Sequence, residues 1–187
     1  MSKIMPAIFT RTSPLANSAL PGRFGASHAQ PGVRLSVVHP LSLVLVTARK
    51  SKVSQDVLKA LRGPRVMWAG ADQFYVQSAN HGEGALATEL SKKLGSAAAV
   101  VDQSHGRITL RVAGPNARNV LAKGTPVDLH RDQFTIGKSG VTQMAHVGVH
   151  LTRIADDDFE LSVFRGFAES FWQWLTEQSA EFGYQVS

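Results

Sequence analysis

The 187-residue sequence predicts an α+β fold built from two related units in one domain. Three observations predict it. Short runs of apolar residues, of strand length and often alternating, recur along the chain. Apolar stripes at helical spacing, stopped by glycine, fall between them. The first half then reads β-α-β-β-α-β, the order of a ferredoxin-like unit, and the second half begins again in the same way.

Residues 1–34 precede these units. Pro6, Pro14, Pro21 and Pro31 recur there with Gly22, Gly25 and Gly32, and no apolar period survives between them. Proline forbids continuous helix and glycine raises the entropic cost of order, so an extended tail is expected. Ile4, Ile8, Phe9, Leu15, Leu20 and Phe24 are spread through it. A solvated linker has little use for such residues, but a segment lying across another surface does. Phe9, Arg11, Leu15, Leu20 and Phe24 are therefore candidate partner contacts. Packing on the chain's own domain is the alternative.

Residues 35–187 form the domain, with halves of about 35–103 and 104–187. Leu41, Leu43 and Leu45 alternate with Val44 and Val46, a strand with both faces buried. A helix is expected from Ser54 to Arg62, stopped by Gly63-Pro64. Val66-Met67-Trp68 and Phe74-Tyr75-Val76 are strands around a Gly70-Ala71-Asp72 turn. The next helix, near Glu83 to Leu94, carries Leu86, Ala87, Leu90 and Leu94, an i,i+4 pair of Glu89 and Lys93, and a left-handed cap at Gly95. Ala97 to Val101 closes the first unit as a strand.

The second unit opens with a half-buried strand, Ile108 to Val112. Gly114-Pro115 then starts a short helix with Pro at its favoured first position, and Gly124 lies past its end. Val147, Val149 and Leu151 form a strand, as do Phe159, Leu161 and Val163. The last helix places Ala168, Phe171, Trp172, Leu175 and Phe182 on one side. The turn before Phe159 also rhymes with that before Phe74. Two related units explain the rhyme; chance agreement of common turn chemistry is the alternative.

The net charge of +6 suggests nucleic acid, but its distribution argues otherwise. Residues 1–55 hold 7 basic residues and no acid, which leaves 13 basic and 14 acidic residues elsewhere. A nucleic-acid module carries its basic face on its folded part. Cysteine is absent, which removes disulfides, thiolate metal sites and a cysteine nucleophile. No apolar run has the length of a membrane span, and Pro6 and Arg11 interrupt any signal-peptide core. A soluble, cytoplasmic protein that contacts neither membrane nor nucleic acid is expected.

The chemistry-bearing residues give little purchase. Asp102, Ser104 and His105 evoke a hydrolytic triad, but in a strand His105 faces away from the other two. His146 and His150 share the spacing of a helical zinc pair. In a strand that spacing spans about 13 Å, too wide for one ion. Gly114-Pro115-Asn116-Ala117 lacks the lysine and glycine spacing of a phosphate loop. No Asp or Glu lies between Asp132 and Asp156, so the strands there offer no acidic general base. Neither a catalytic residue nor a cofactor or metal site of its own is expected.

One stretch is more specific. Val101-Asp102-Gln103-Ser104-His105-Gly106-Arg107-Ile108, then Val112-Ala113-Gly114-Pro115-Asn116-Ala117, resembles the aminomethyltransferase folate-binding family. Leu151-Thr152-Arg153-Ile154-Ala155-Asp156-Asp157-Asp158-Phe159 does so as well. More specifically, Trp68-Ala69-Gly70-Ala71-Asp72-Gln73-Phe74 and the run from Gly114 through Lys123-Gly124 to Pro126-Val127-Asp128-Leu129-His130 resemble the gamma-subunit family of heterotetrameric sarcosine oxidase.

That resemblance implies a folate-binding-domain-like fold. It implies a non-catalytic subunit working with alpha, beta and delta partners that hold FAD, FMN, NAD, tetrahydrofolate and zinc. It also makes Asp102, Ser104, His105, Gly114 and Pro115 a vestigial motif with a structural role. The folate enzymes carry a catalytic Asp shortly before their Thr-Arg segment. That place falls near His146 to Gly148 here, where no acid stands. A stand-alone folate-dependent protein is a competing reading, but those relatives bear a Lys-Gly-Cys motif that this chain lacks. A basic nucleic-acid-binding module is the other.

Overall fold

The computed structural model describes residues 12–49, 58 and 63–187. Two short strands lead, β1 (Gly22–Phe24) and β2 (Val33–Val38). The first unit follows with β3 (Ser42–Ala48), β4 (Arg65–Gly70), β5 (Gln73–Ser78), α1 (Ala85–Leu94) and β6 (Ala98–Asp102). The second contains β7 (Arg107–Ala113), α2 (Ala117–Ala122), β8 (Ser139–Met144), β9 (Val147–Ala155), β10 (Asp158–Phe164), α3 (Ala168–Ser179) and β11 (Tyr184–Val186).

The strands form two sheets, ordered β4-β5-β3-β6 and β1-β11-β2-β7-β10-β9-β8. The first is the antiparallel ferredoxin-like order. The second keeps that order in β9-β10-β7 and departs at both ends. β8 is added as a hairpin partner of β9, and β2 is inserted between β7 and β11, pairing parallel to β11. The expected boundary at residue 104 is thus crossed, because a strand of the leading half completes the second sheet.

Helices cover the outer face of each sheet, and the inner faces meet. Val44, Val46, Phe74 and Val76 pack outward against Leu86, Leu90 and the helical, fully buried Leu58. Leu110, Val112, Phe159, Leu161 and Val163 pack outward against Val120, Leu121, Phe171 and Leu175. This explains why β3 is apolar on both faces: one meets a helix and the other meets a sheet. The helix expected over Ser54 to Arg62 otherwise lies outside the described residues.

Several local expectations are corrected. α2 starts at Ala117 with Asn116 at its N-cap, so Pro115 belongs to the preceding turn. Gly95 takes φ 49° and ψ −128°, outside the left-handed helical basin. Glu89 is engaged by His81 at 3.2 Å. Phe182 lies in the 3₁₀ turn beyond α3.

The described part of the leading segment, residues 12–34, follows the alternative and packs on the chain's own domain. Leu15 is fully buried in the core under α2 and α3, and Ser18 Oγ donates to Glu169 on α3. β1 pairs antiparallel with β11, where Phe24 stacks on Tyr184 at 5.3 Å. Of the scattered apolar residues, Leu15 has its dry place on its own domain. Leu15 is therefore not a partner contact. Leu20 and Phe24 stay largely exposed, and Phe9 and Arg11 lie outside the described residues.

Candidate functional site

The end of β6 and the turn after it hold the triad-like residues, and Asp102 and Ser104 make their contacts with backbone. The Ser104 N–H donates to Asp102 Oδ1 at 2.8 Å, closing an Asx turn. Ser104 Oγ accepts from the Leu43 N–H at 3.0 Å and so pins the turn to β3. The exposed His105 turns to Glu83 instead of to Ser104. Asp102 reaches the amide of Ser104 rather than its hydroxyl, so these three contacts do not form a nucleophile–base relay.

Gly114 has φ +117°, and a Cβ there would lie 2.7 Å from the Gly32 carbonyl oxygen. Only glycine lets the two backbones approach so closely. Gly32 O in turn accepts from Asn116 N–H at 3.0 Å, which fixes the entry to α2. His146 sits in the β8–β9 hairpin with φ 64°, while His150 is buried within β9.

Between the sheets lies a polar layer. Glu160 on β10 is buried and accepts from Gln77 Nε2 at 3.0 Å; Arg65 of β4 pairs with the same oxygen. His150 Nε2–H donates to the Trp68 carbonyl across the gap at 2.8 Å. Its ring meets Tyr75 edge-on at 5.0 Å. Burial pushes the His150 pKa down to about 4. Thr152 Oγ1 lies 3.4 Å from Met67 Sδ. The space left among these side chains is about 10 Å³, room for one water at most.

The sequence signal for this layer was the polar half of the Phe159-Glu160-Leu161-Ser162-Val163 alternation. Alternation alone assigns Glu160 and Ser162 to solvent. Only the packing of a second sheet, bringing Gln77 and Tyr75 to the same plane, buries them.

Three successive acids after β9 are each taken by an arginine. Arg153 is buried and donates to Asp156 Oδ1 at 2.9 Å and to the carbonyls of Arg131 and Phe134. Arg118 pairs with Asp157 at 3.0 Å, donates to the Leu129 carbonyl, and lies 5.0 Å over the Phe159 ring. Arg111 grips Asp158. Arg118 and Arg153 tie the loop between α2 and β8 to the end of β9. That loop contains the Lys123 to His130 run, and its Gly124 packs against Trp174.

Residues 26–181 match the model of the sarcosine oxidase, gamma subunit family. The chain belongs to the sarcosine oxidase gamma subunit family. It is 30% identical over 172 residues to a sarcosine oxidase subunit gamma from Corynebacterium sp. (strain U-96), covering 91% of this chain and 77% of that one. It is 34% identical over 128 residues to a sarcosine oxidase subunit gamma from Arthrobacter sp, covering 68% of this chain and 62% of that relative. The match thus spans under two thirds of the Arthrobacter protein.

Among solved structures, the family member is similar to a chain of heterotetrameric sarcosine oxidase from Corynebacterium sp. U-96 in complex with pyrrole 2-carboxylate. The TM-score is 0.77 at 26% identity, over 92% of this chain and 96% of that one. It is also similar to glycine cleavage system aminomethyltransferase T from Bartonella henselae, with a TM-score of 0.59 at 17% identity, over 81% of this chain and 50% of that one. The second likeness is one of fold. Within this gamma subunit family member, the Gly114 to His130 run and the Arg153 to Phe159 run are joined by the Arg118–Asp157 ion pair.

Proposed function

We propose that the chain is a non-catalytic subunit of a heterotetrameric sarcosine oxidase. It would work with alpha, beta and delta subunits in the cytoplasm. The complex would demethylate sarcosine to glycine, form peroxide and pass the one-carbon unit to tetrahydrofolate. FAD, FMN, NAD, tetrahydrofolate and zinc would belong to the partners. The observation that carries this reading, beside the family, is the filled space between the sheets. Glu160, Gln77, His150 and Tyr75 satisfy one another there and leave about 10 Å³, far below the volume of a substrate or cofactor site.

The test is co-expression of the chain with and without the three other subunits. The chain alone should show no flavin absorbance after dialysis and no sarcosine oxidation. With the others, it should co-purify in a fixed ratio with an active oxidase. Activity or bound flavin in the isolated chain would refute the non-catalytic role. Failure to co-purify would refute the subunit role.

A further inference from the structure

Two turns meet at one corner of the molecule. The Arg165 N–H, just after β10, donates to the Gly106 carbonyl at 2.9 Å and so holds that turn against the one carrying Ser104 and His105. A pocket of about 30 Å³ opens between them, lined by Arg107, Arg165, His39 and His105, with Pro14 and Leu41 among its apolar walls. No carboxylate lines it among the described residues. His105 at its rim is bonded to Glu83.

Arg107 differs from the arginines that bind the sheets and the α2–β8 loop together. Arg65, Arg111, Arg118 and Arg153 each pair with a carboxylate. Arg107 spends its donors on neutral acceptors: Nε on Ser162 Oγ at 3.0 Å and Nη2 on the Ser162 carbonyl at 2.6 Å. Its guanidinium lies 4.4 Å from the Phe164 ring centre and 5.5 Å from that of Tyr75. Aromatic faces offset only part of the cost of a half-buried cation. The outer side of Phe164 is bare: the residue is 51% exposed, and Phe167 one turn later is 50% exposed. Arginines lining a small cavity, with an exposed phenylalanine stacked on one of them, are the composition of an interface centre rather than of an ordinary surface.

We infer that this corner docks a partner subunit. An acidic side chain of the partner enters the pocket against Arg107 and Arg165, and apolar residues of the partner cover Phe164 and Phe167. The inference rests on the chain's reading as a subunit. The sign of the occupant follows from the pocket's two arginines, with no carboxylate among its described lining residues. Its attachment to a protein follows from size: the cavity admits about two water-sized atoms, enough for the two oxygens of a carboxylate. Whatever bears that carboxylate lies outside the cavity, where Phe164, next to the Arg107 guanidinium, is the exposed apolar surface.

The test uses the full chain co-expressed with the three other subunits. A benzophenone amino acid at position 167 should, on irradiation, cross-link to a partner peptide containing Asp or Glu. Arg165→Glu should weaken assembly about tenfold or more, as reversing a desolvated charge contact does. Arg165→Lys should largely retain it, and the melting temperature of the isolated Arg165→Glu chain should match wild type because Arg165 is exposed. Wild-type assembly of Arg165→Glu, or cross-links confined to the chain itself, would overturn the docking assignment while leaving the subunit role standing. Arg107-dependent binding of free acetate by the isolated chain at millimolar concentration would overturn it in favour of a small carboxylate ligand. If the wild-type chain does not assemble with the other subunits, the subunit role fails and this inference falls with it.

Discussion

His150 shows how much one buried side chain can be asked to do. It bridges the sheets through the Trp68 carbonyl and can do so as a neutral imidazole. Burial lowers its pKa from 6.5 to about 4; the carbonyl contact opposes that shift and the charge of Arg107 adds to it. Between those values the unfolded chain binds the extra proton. Stability is therefore full above about pH 6.5 and is lost as pH falls towards about 4, by up to about 3 kcal/mol. Thermal melts at pH 7.5 and pH 5 check this: wild type should lose more stability than His150→Gln, and equal losses would mean that His150 titrates normally. Asp102 and Ser104 call for a different measurement. Their contacts are an Asx turn and a pin on Leu43, each worth about 0.5–1.5 kcal/mol. Asp102→Ala and Ser104→Ala should lower stability by that amount and leave turnover per assembled complex nearly unchanged. A drop of about a hundredfold with assembly intact would assign them to chemistry. The Asx turn is legible in sequence because its two partners are two residues apart, whereas the pin on Leu43 spans 61 residues and is not. Glu160 was not, because its partners, Gln77 and Arg65, come from the other sheet.

At the scale of elements, the leading segment separates what pattern can and cannot reveal. Proline and glycine between residues 12 and 34 do preclude a helix, and none forms there. They do not preclude burial of one leucine. Leu15→Ala should cost about 2–5 kcal/mol, the range for emptying a fully buried leucine site. Deleting residues 2–30 should lower the melting temperature of the isolated chain markedly, since it removes Leu15 and β1 together. An unchanged melt would show that the segment does not contribute to this core. Gly124→Ala should cost about 1–3 kcal/mol, because the added carbon would sit 2.5 Å from the Trp174 ring. Strands β3, β5, β7, β9 and β10 were legible because their side chains alternate or are apolar throughout. β8 was not: Ser139-Gly140-Val141-Thr142-Gln143-Met144 lies at a sheet edge, half exposed, and carries no apolar period. β1 and β11, three residues each, are set by their pairing and not by their composition.

On the scale of the whole molecule, the first unit follows the expected order strand for strand, and the second does not. Local pattern yields the β-α-β-β-α-β string, but nothing local says that β2 leaves its own half to sit between β7 and β11. The same holds for the meeting of the two inner faces, which turns a polar strand face into an interior. That interior bears on the proposed role. With its central space filled, the isolated chain is expected to be colourless and unreactive towards sarcosine, as absorbance and peroxide assays on the purified chain would establish.

The insertion of β2 also sets a timetable. Of its two neighbours, β7 comes only after the first unit is complete, and β11 is the last strand described. The four-stranded unit, by contrast, has all its strands together by Asp102. A chain emerging from the ribosome can thus finish the smaller sheet while β2, already made, has no edge to join. Pairings between distant segments form slowly, and unpaired backbone amides recruit foreign strands in the meantime. One edge of the early-made strand can pair once β7 is made, but the other waits for the last strand, and that interval is when this polypeptide is most exposed to mispairing with its neighbours.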